Sequence, residues 1–350
     1  MEAALALHDL ARERVALTIV TASAEFVYRP FAVVRPFQSE PTYRIELAQI
    51  ARDVGAEIVL DTAVGVDPGR RQLLLSAREP LPYDALLVAI GARAEATVGG
   101  GTITPWDWGS GHAFRALLES VREGRTKKVT FIVPPGIVWT LPLYELALLT
   151  SVFALEGAIK DVSLTLVTVE KAPLEVFGAE TSAKVGALLE ERGIAVLLES
   201  ETLAIEDGLV QTSGGAAVPS DATVAVPVIL AHGFSGVPTD DAGFIVVDDR
   251  CRVGVDGNVF AAGDCTNLPL KQGGIAAQQA DAAAAGIAAL AGAAAVPPPL
   301  RPRLRALLFT GETSLRLGAD GEPGPPEKIE ARYLTPYLRA ATPSLPTLAG

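Results

Sequence analysis

Cysteine is scarce in this 350-residue sequence: Cys251 and Cys265 are the whole complement, and they form no CxxC pair. That excludes a disulfide framework and points to a reducing, cytoplasmic setting. Histidine is nearly as rare. His8, His112 and His232 are scattered without metal-ligand spacing, which argues against metal catalysis. No apolar run reaches the roughly 18 residues that span a bilayer, and no secretory leader precedes the first helical pattern. Residues 282–296 are apolar but built from Ala and Gly, which reads as a buried helix. Basic residues are outnumbered, 29 against 41 acidic, for a net charge of −12; this argues against nucleic acid and against electrostatic docking on anionic lipid. Neither a Ser-His-Asp set nor a paired-carboxylate constellation is apparent.

What is abundant is apolar residues (49%) and glycine (33), in a length that suits two α/β domains and a small third piece. The stretch from Asn258 to Leu290 organises the rest. A short apolar strand, Val259 to Ala262, ends in Gly263-Asp264; a polar loop follows, then an Ala-rich helix entered through Gly273-Gly274. A strand ending in Gly-Asp places a carboxylate at the carboxyl edge of a parallel sheet, where α/β folds bind ligands. Gly263 admits close backbone approach, and Asp264 can accept hydrogen bonds from sugar or ribityl hydroxyls. The helix aims free N–H groups and partial positive charge at the same place. The plainer alternative is an ordinary strand-loop-helix turn with a helix-capping Asp.

This stretch resembles the second FAD-binding motif of the pyridine nucleotide–disulfide oxidoreductase superfamily, two-dinucleotide-domain flavoproteins. It is most similar there to the group of type II NADH dehydrogenases and sulfide:quinone oxidoreductases. The resemblance implies that Gly263 and Asp264 meet the flavin ribityl chain. It also implies that Lys271, Gln272, Gly273 and Gly274 lie toward the pyrimidine edge, where a positive helix end stabilises the reduced ring. Two further segments carry it. Tyr28-Arg29-Pro30 resembles an Arg-Pro segment near the flavin, so Arg29 is an expected FAD contact, against a plain surface arginine. Residues 81–92, LPYDALLVAIGA, resemble the second marker of the FAD domain, with Gly91 and Ala92 at the turn beside the flavin.

The expected fold is therefore α/β with two Rossmann-like domains. A discontinuous FAD-binding domain spans residues 1–107 and 240–296, a NAD(P)-binding-like domain spans 108–239 and begins near Trp106, and 297–350 form a short interface segment. The last dozen residues are expected to be disordered. The order strand, GxGxxG, helix, strand should open a dinucleotide fold. Here an amphipathic helix, residues 2–12, and a strand, Val15 to Val20, come first, without the strand and glycine loop that should precede them. The expectation is a domain truncated at its amino terminus, with upstream residues carrying GxGxxG. No acid stands at Thr21, Ala22 or Ser23, where the adenosine ribose would want one; Glu25, a little beyond, is the candidate, a solvated loop acid being the alternative.

Further expectations follow along the chain. A helix covers 43–54; strands cover Glu57 to Asp67, Gln72 to Ser76 and Ala85 to Ala89, with turns at Asp67-Pro68-Gly69 and Leu81-Pro82. Pro134-Pro135-Gly136-Ile137-Val138-Trp139-Thr140-Leu141-Pro142 occupies the place of a second GxGxxG. One glycine and three prolines suit it poorly to wrap a pyrophosphate, so NAD(P)H binding is doubtful. Glu170 could hold a ribose or simply cap a turn. Neither cysteine matches the positions that sulfide:quinone or disulfide enzymes use, and Cys265 reads as a small buried hydrophobe rather than a redox centre. The resemblance implies an FAD-dependent oxidoreductase taking electrons from a small-molecule donor to an acceptor such as a quinone. Peripheral contact at the inner face of a membrane and a homodimer are part of that picture. The competing readings are an FAD-free partner subunit and a NAD(P)H dehydrogenase with a divergent loop.

Overall fold

A computed structural model of the chain describes residues 1–37, 44–95, 102–104, 112–254, 257–295, 299–311, 313–318, 324–325 and 327–341. The expected boundary near Trp106 and the expected disordered terminal residues lie outside or at the edge of these ranges.

The chain opens with α1 (Glu2–Ala11), whose apolar face is almost wholly alanine and leucine: Ala3, Ala4, Ala6, Leu7 and Ala11 are buried. Strand β1 (Thr18–Thr21) follows, then the hairpin partners β2 (Glu25–Val27) and β3 (Arg44–Glu46), antiparallel to one another. The helical pattern expected from residue 43 begins only at α2 (Leu47–Val54), because Arg44–Glu46 is drawn into the ladder with β2. Gly55, in the left-handed region at φ 66°, ends α2. Strand β4 (Glu57–Leu60) lies parallel to β1. The long strand expected from Glu57 to Asp67 is broken at Asp61-Thr62. Beyond the break, β5 (Ala63–Asp67), β6 (Gln72–Leu75) and β7 (Leu81–Pro82) form an antiparallel meander, so Leu81-Pro82 is an edge strand and not a turn.

The meander delivers the chain to β8 (Leu86–Val88) and to β9 (Arg93–Glu95). Helix α3 (His112–Arg122) leads into a second sheet system: β10 (Lys128–Ile132), α4 (Leu141–Glu156), β11 (Ser163–Val167), α5 (Ala179–Glu191) and β12 (Ile194–Leu197). A second meander, β13 (Thr202–Glu206), β14 (Leu209–Thr212) and β15 (Ala217–Pro219), precedes β16 (Ala222–Ala225). The parallel order is β12-β11-β10-β16. Its inner strands are apolar on both faces, with Phe131, Ile132, Leu166 and Val167 at 0% exposure: helices cover the face of Phe131 and Leu166, and the second meander, through Val210, covers the face of Ile132 and Val167. Helix α4 is correspondingly hydrophobic all round, and Pro142 sits in its first turn where a missing N–H costs nothing.

The return passes through β17 (Val228–Leu230), antiparallel to β9, to β18 (Val259–Ala261), parallel to β8. Helix α6 (Gly273–Leu290) follows and packs on α1. Small residues make that packing close. Ala6, Ala283 and Ala284 are fully buried, and a Cβ on Gly286 would stand 2.6 Å from the Phe260 ring. A hairpin, β19 (Arg305–Phe309) with β20 (Ser314–Gly318), and the short α7 (Thr335–Ala341) complete the described chain. The two-stranded hairpin and β15 are missed by the sequence pattern. Among the described residues no helix is long and apolar enough to cross a membrane.

Candidate functional site

Strand β18 runs Val259-Phe260-Ala261 in register with Leu86-Leu87-Val88, so the residues just after each strand emerge side by side at one sheet edge. From β18 come Gly263 and Asp264; from β8 come Ile90 and Gly91. Both glycines have positive φ, 82° at Gly263 and 69° at Gly91, conformations that side chains rarely adopt. They border a cleft of about 1830 Å³ whose walls also include Arg29, Glu25 and Gly273. The turn is stitched to the helix behind it: Gln279 accepts the Gly263 N–H at 2.9 Å and donates to Thr266 Oγ1 at 3.0 Å.

Asp264 is the acidic focus. Burial pushes its carboxyl up from the ordinary range, while Lys271 and Arg29 pull it back toward the ionised form. The converse holds for the cations: burial lowers Arg29 and Lys271, and the charge of Asp264 opposes that in both. No hydrogen bond contributes to the shift of Asp264, so its oxygens depend on charge alone for support. Lys271 is fixed by a hydrogen bond to the Thr266 carbonyl and by the Phe244 ring, 3.7 Å from its ammonium.

Of the ten residues singled out by sequence, Glu25, Arg29, Gly91, Gly263, Asp264 and Gly273 line the cleft; Ala92, Lys271, Gln272 and Gly274 do not line it. Gln272 caps α6, accepting the Ile275 N–H at 2.8 Å while donating to the Arg305 carbonyl at 3.2 Å. Its side chain is therefore turned to the helix rather than to the cleft. Gly273 packs against Ile329, whose Cδ1 would lie 2.6 Å from an added Cβ. Glu25 forms an ion pair with Arg44 across the β2–β3 hairpin. The lining also includes Arg14, Arg71, Tyr83, His232 and Arg252, which carried no sequence signal: each is a lone residue outside any motif, given meaning only by topology.

The residues present suit one half of an FAD. An aspartate with two cations beside it fits the ribityl and ring end. The ADP half finds neither a glycine-rich cradle nor a carboxylate at the end of β1 among the described residues; there the Thr21 hydroxyl donates to the Ser23 carbonyl and accepts the Ser23 N–H.

At the equivalent edge of the second sheet system the arrangement is closed. Glu170, just beyond β11, is buried and accepts hydrogen bonds from Tyr144 at 2.7 Å, Thr168 at 2.9 Å and Thr140 at 3.1 Å. The cysteines are buried too. Burial pushes Cys265 up to about 11 and Cys251 up to about 12.

Residues 144–286, from the start of α4 into α6 and so including Gly263 and Asp264, match the family "Pyridine nucleotide-disulphide oxidoreductase". No curated protein sequence matches the chain. Among solved structures, the sulfide:quinone oxidoreductase of Aquifex aeolicus superposes with a TM-score of 0.81 at 20% identity, over 97% of this chain and 86% of that one. An NAD-dependent persulfide reductase from A. fulgidus gives 0.63 at 18% identity, over 92% and 62%. A chain in the mitochondrial ATP synthase of Tetrahymena thermophila gives 0.68 at 14% identity, over 97% and 90%.

Proposed function

We propose that this chain, whose residues 144–286 match the pyridine nucleotide–disulphide oxidoreductase family, is an FAD-dependent oxidoreductase, moving electrons from a small-molecule donor to a quinone acceptor. The observation that carries this is the convergence of Asp264, Gly263 and Arg29 on one cleft at the carboxyl edge of β8 and β18. When bound, a flavin supplies the two-electron chemistry; the protein supplies orientation and electrostatics. Asp264 offers acceptor oxygens to ribityl hydroxyls, and Lys271 and Arg29 favour its ionised form against the burial that raises it. Gly263 and Gly91 form turns at the cleft wall in positive-φ conformations that a side chain would strain.

The quinone is supported by the likeness to the Aquifex sulfide:quinone oxidoreductase; peripheral contact with a membrane is part of the same reading. A nicotinamide donor is disfavoured by the second sheet edge. The 134–142 loop is short of N–H donors, and three hydroxyls already occupy Glu170. The unreactive environment of Cys265 disfavours a thiol relay.

A second reading, an FAD-free subunit serving as a binding partner, is favoured by the lack of an ADP cradle among the described residues and by the Tetrahymena assembly that contains a chain of this fold. Reconstitution separates them. The chain is incubated with FAD, stripped of excess, and its visible spectrum recorded; retained flavin that a reduced donor bleaches and a soluble quinone restores supports the oxidoreductase. A protein that stays colourless at saturating FAD overturns it in favour of the subunit. Bleaching by NADH or NADPH alone overturns the donor assignment.

A further inference from the structure

Burial raises Asp264, and Lys271 and Arg29 oppose that through charge alone, so how near Lys271 stands decides how much support the carboxylate receives. The turn that carries Asp264 sets that separation. The Gly263 N–H donates to Gln279 Oε1 at 2.9 Å, which fixes the way round of the amide and leaves Nε2 to donate to Thr266 Oγ1 at 3.0 Å. Having accepted that bond, the Thr266 hydroxyl directs its own proton to the Gly263 carbonyl, at 2.8 Å. The Thr266 N–H donates to the same carbonyl at 3.0 Å. These bonds close a ring in which each donor has one direction. Gln279 and Thr266 are 1% and 0% exposed, so water does not compete for it.

Peptide groups are planar, so the ring fixes both that flank Gly263: the preceding one through Gln279, the one leading to Asp264 through Thr266. The conformation of Gly263, with φ at 82°, follows, and with it the direction in which Asp264 leaves the turn. Thr266 also reaches the cation. Its carbonyl accepts from Lys271 Nζ, which lies 3.7 Å from the Phe244 ring. The loop is anchored on another side by Ile245, whose N–H donates to the Cys265 carbonyl and whose carbonyl accepts the Asn267 N–H, both at 2.9 Å. Carboxylate and cation thus meet through one residue, Thr266, and its hydroxyl is oriented by Gln279. Neither Thr266 nor Gln279 lines the cleft.

With Asp264 read as a flavin contact, a reading on which this rests, we propose that Gln279 and Thr266 are positioning residues: they hold Asp264 and Lys271 at a fixed separation and aim the carboxylate at the ligand without touching it. The residue types suit that role. Only a two-ended amide both accepts from Gly263 and donates to Thr266, and only a hydroxyl passes the bond on to a carbonyl.

A flavin-free titration tests the clamp, and a flavin titration tests its purpose. Thr266→Val removes the hydroxyl with little change of shape, Thr266→Ser restores it, and Gln279→Leu removes both ends of the amide. Carboxyl carbon NMR follows Asp264, whose resonance is the one lost in Asp264→Asn. The expected result is a midpoint higher by about one pH unit in Thr266→Val and Gln279→Leu, the scale of one opposite charge withdrawn, with Thr266→Ser at the wild-type value. FAD should bind about tenfold more weakly to the first two and as to wild type in the third. Should Gln279→Leu fail to fold, the Thr266 pair decides alone. An Asp264 midpoint unmoved in Thr266→Val, or moved equally in Thr266→Ser, overturns the proposal whatever FAD does. Midpoints that shift as expected in a chain that takes up no FAD uphold the clamp and overturn the flavin reading instead.

Discussion

Glu170 and Tyr144 are hydrogen-bonded at 2.7 Å inside the second sheet system, where the carboxylate at the end of β11 has become an internal strut. Burial raises Glu170, and its three hydroxyl donors oppose the shift; burial and the neighbouring carboxylate raise Tyr144 well above the ordinary phenol range. The acid that would meet a ribose is thus consumed in tying the 134–142 loop and α4 to β11.

Removing one donor leaves a buried carboxylate under-satisfied. Tyr144→Phe is expected to destabilise the protein by about 1–3 kcal/mol. Thermal or denaturant unfolding measures it, with the flavin site unaffected; an unchanged midpoint would show that the strut carries no load.

A second buried link joins α4 to the C-terminal hairpin. The Glu145 carboxylate, fully buried, pairs with Lys328 and accepts the Phe309 N–H at 2.8 Å, while Lys328 also donates to the Leu307 carbonyl at 2.7 Å. Lys328→Met strands a charge in the interior and is expected to cost about 3–5 kcal/mol. Adding Glu145→Leu should recover much of that loss. A double-mutant cycle checks the coupling, and additive losses would contradict it.

Between α1 and α6, Asp281 faces Glu2, whose oxygens hold the N–H groups of Tyr333 (2.8 Å) and Leu334 (2.6 Å). Burial, and then Glu2, push Asp281 from the ordinary carboxylate range up to about 7, while Arg332 opposes the shift. The folded state therefore binds this proton more tightly than the unfolded state. The resulting stabilisation is full below the ordinary carboxylate range and is lost as pH rises through about 7. Asp281→Asn should flatten the stability–pH curve between those limits; a slope unchanged from wild type would refute the assignment.

With thiols pushed up to about 11 and about 12, the cysteines should be inert in the native state. Alkylation by iodoacetamide at neutral pH is expected only on unfolding, and Cys265→Ala should leave flavin binding unchanged. Rapid native-state labelling of Cys265 would reverse that conclusion.

The readable parts of this fold are those set by local chemistry. Apolar runs with a terminal glycine place β18, β8 and their turns, and Gly55 and Gly193, both at positive φ, end α2 and α5 as local stop signals do. The place of Asp264 at the cleft was legible because it follows an apolar strand and a glycine. Gln272 was not. Whether it meets a ligand or caps its own helix depends on Ile275 and on Arg305, a residue 33 positions away. The same holds for Arg44–Glu46, helical by local pattern and extended by pairing with β2. The cleft arginines 14, 71 and 252 are brought together by topology alone.

The most direct measurement is a fluorescence titration of FAD into the wild-type chain and into Asp264→Ala. The predicted result is saturable binding that weakens at least about tenfold in the variant, the scale of one charge-assisted hydrogen bond lost. Saturable binding of equal strength in both proteins, or none in the wild type, would contradict a flavin site built around Asp264.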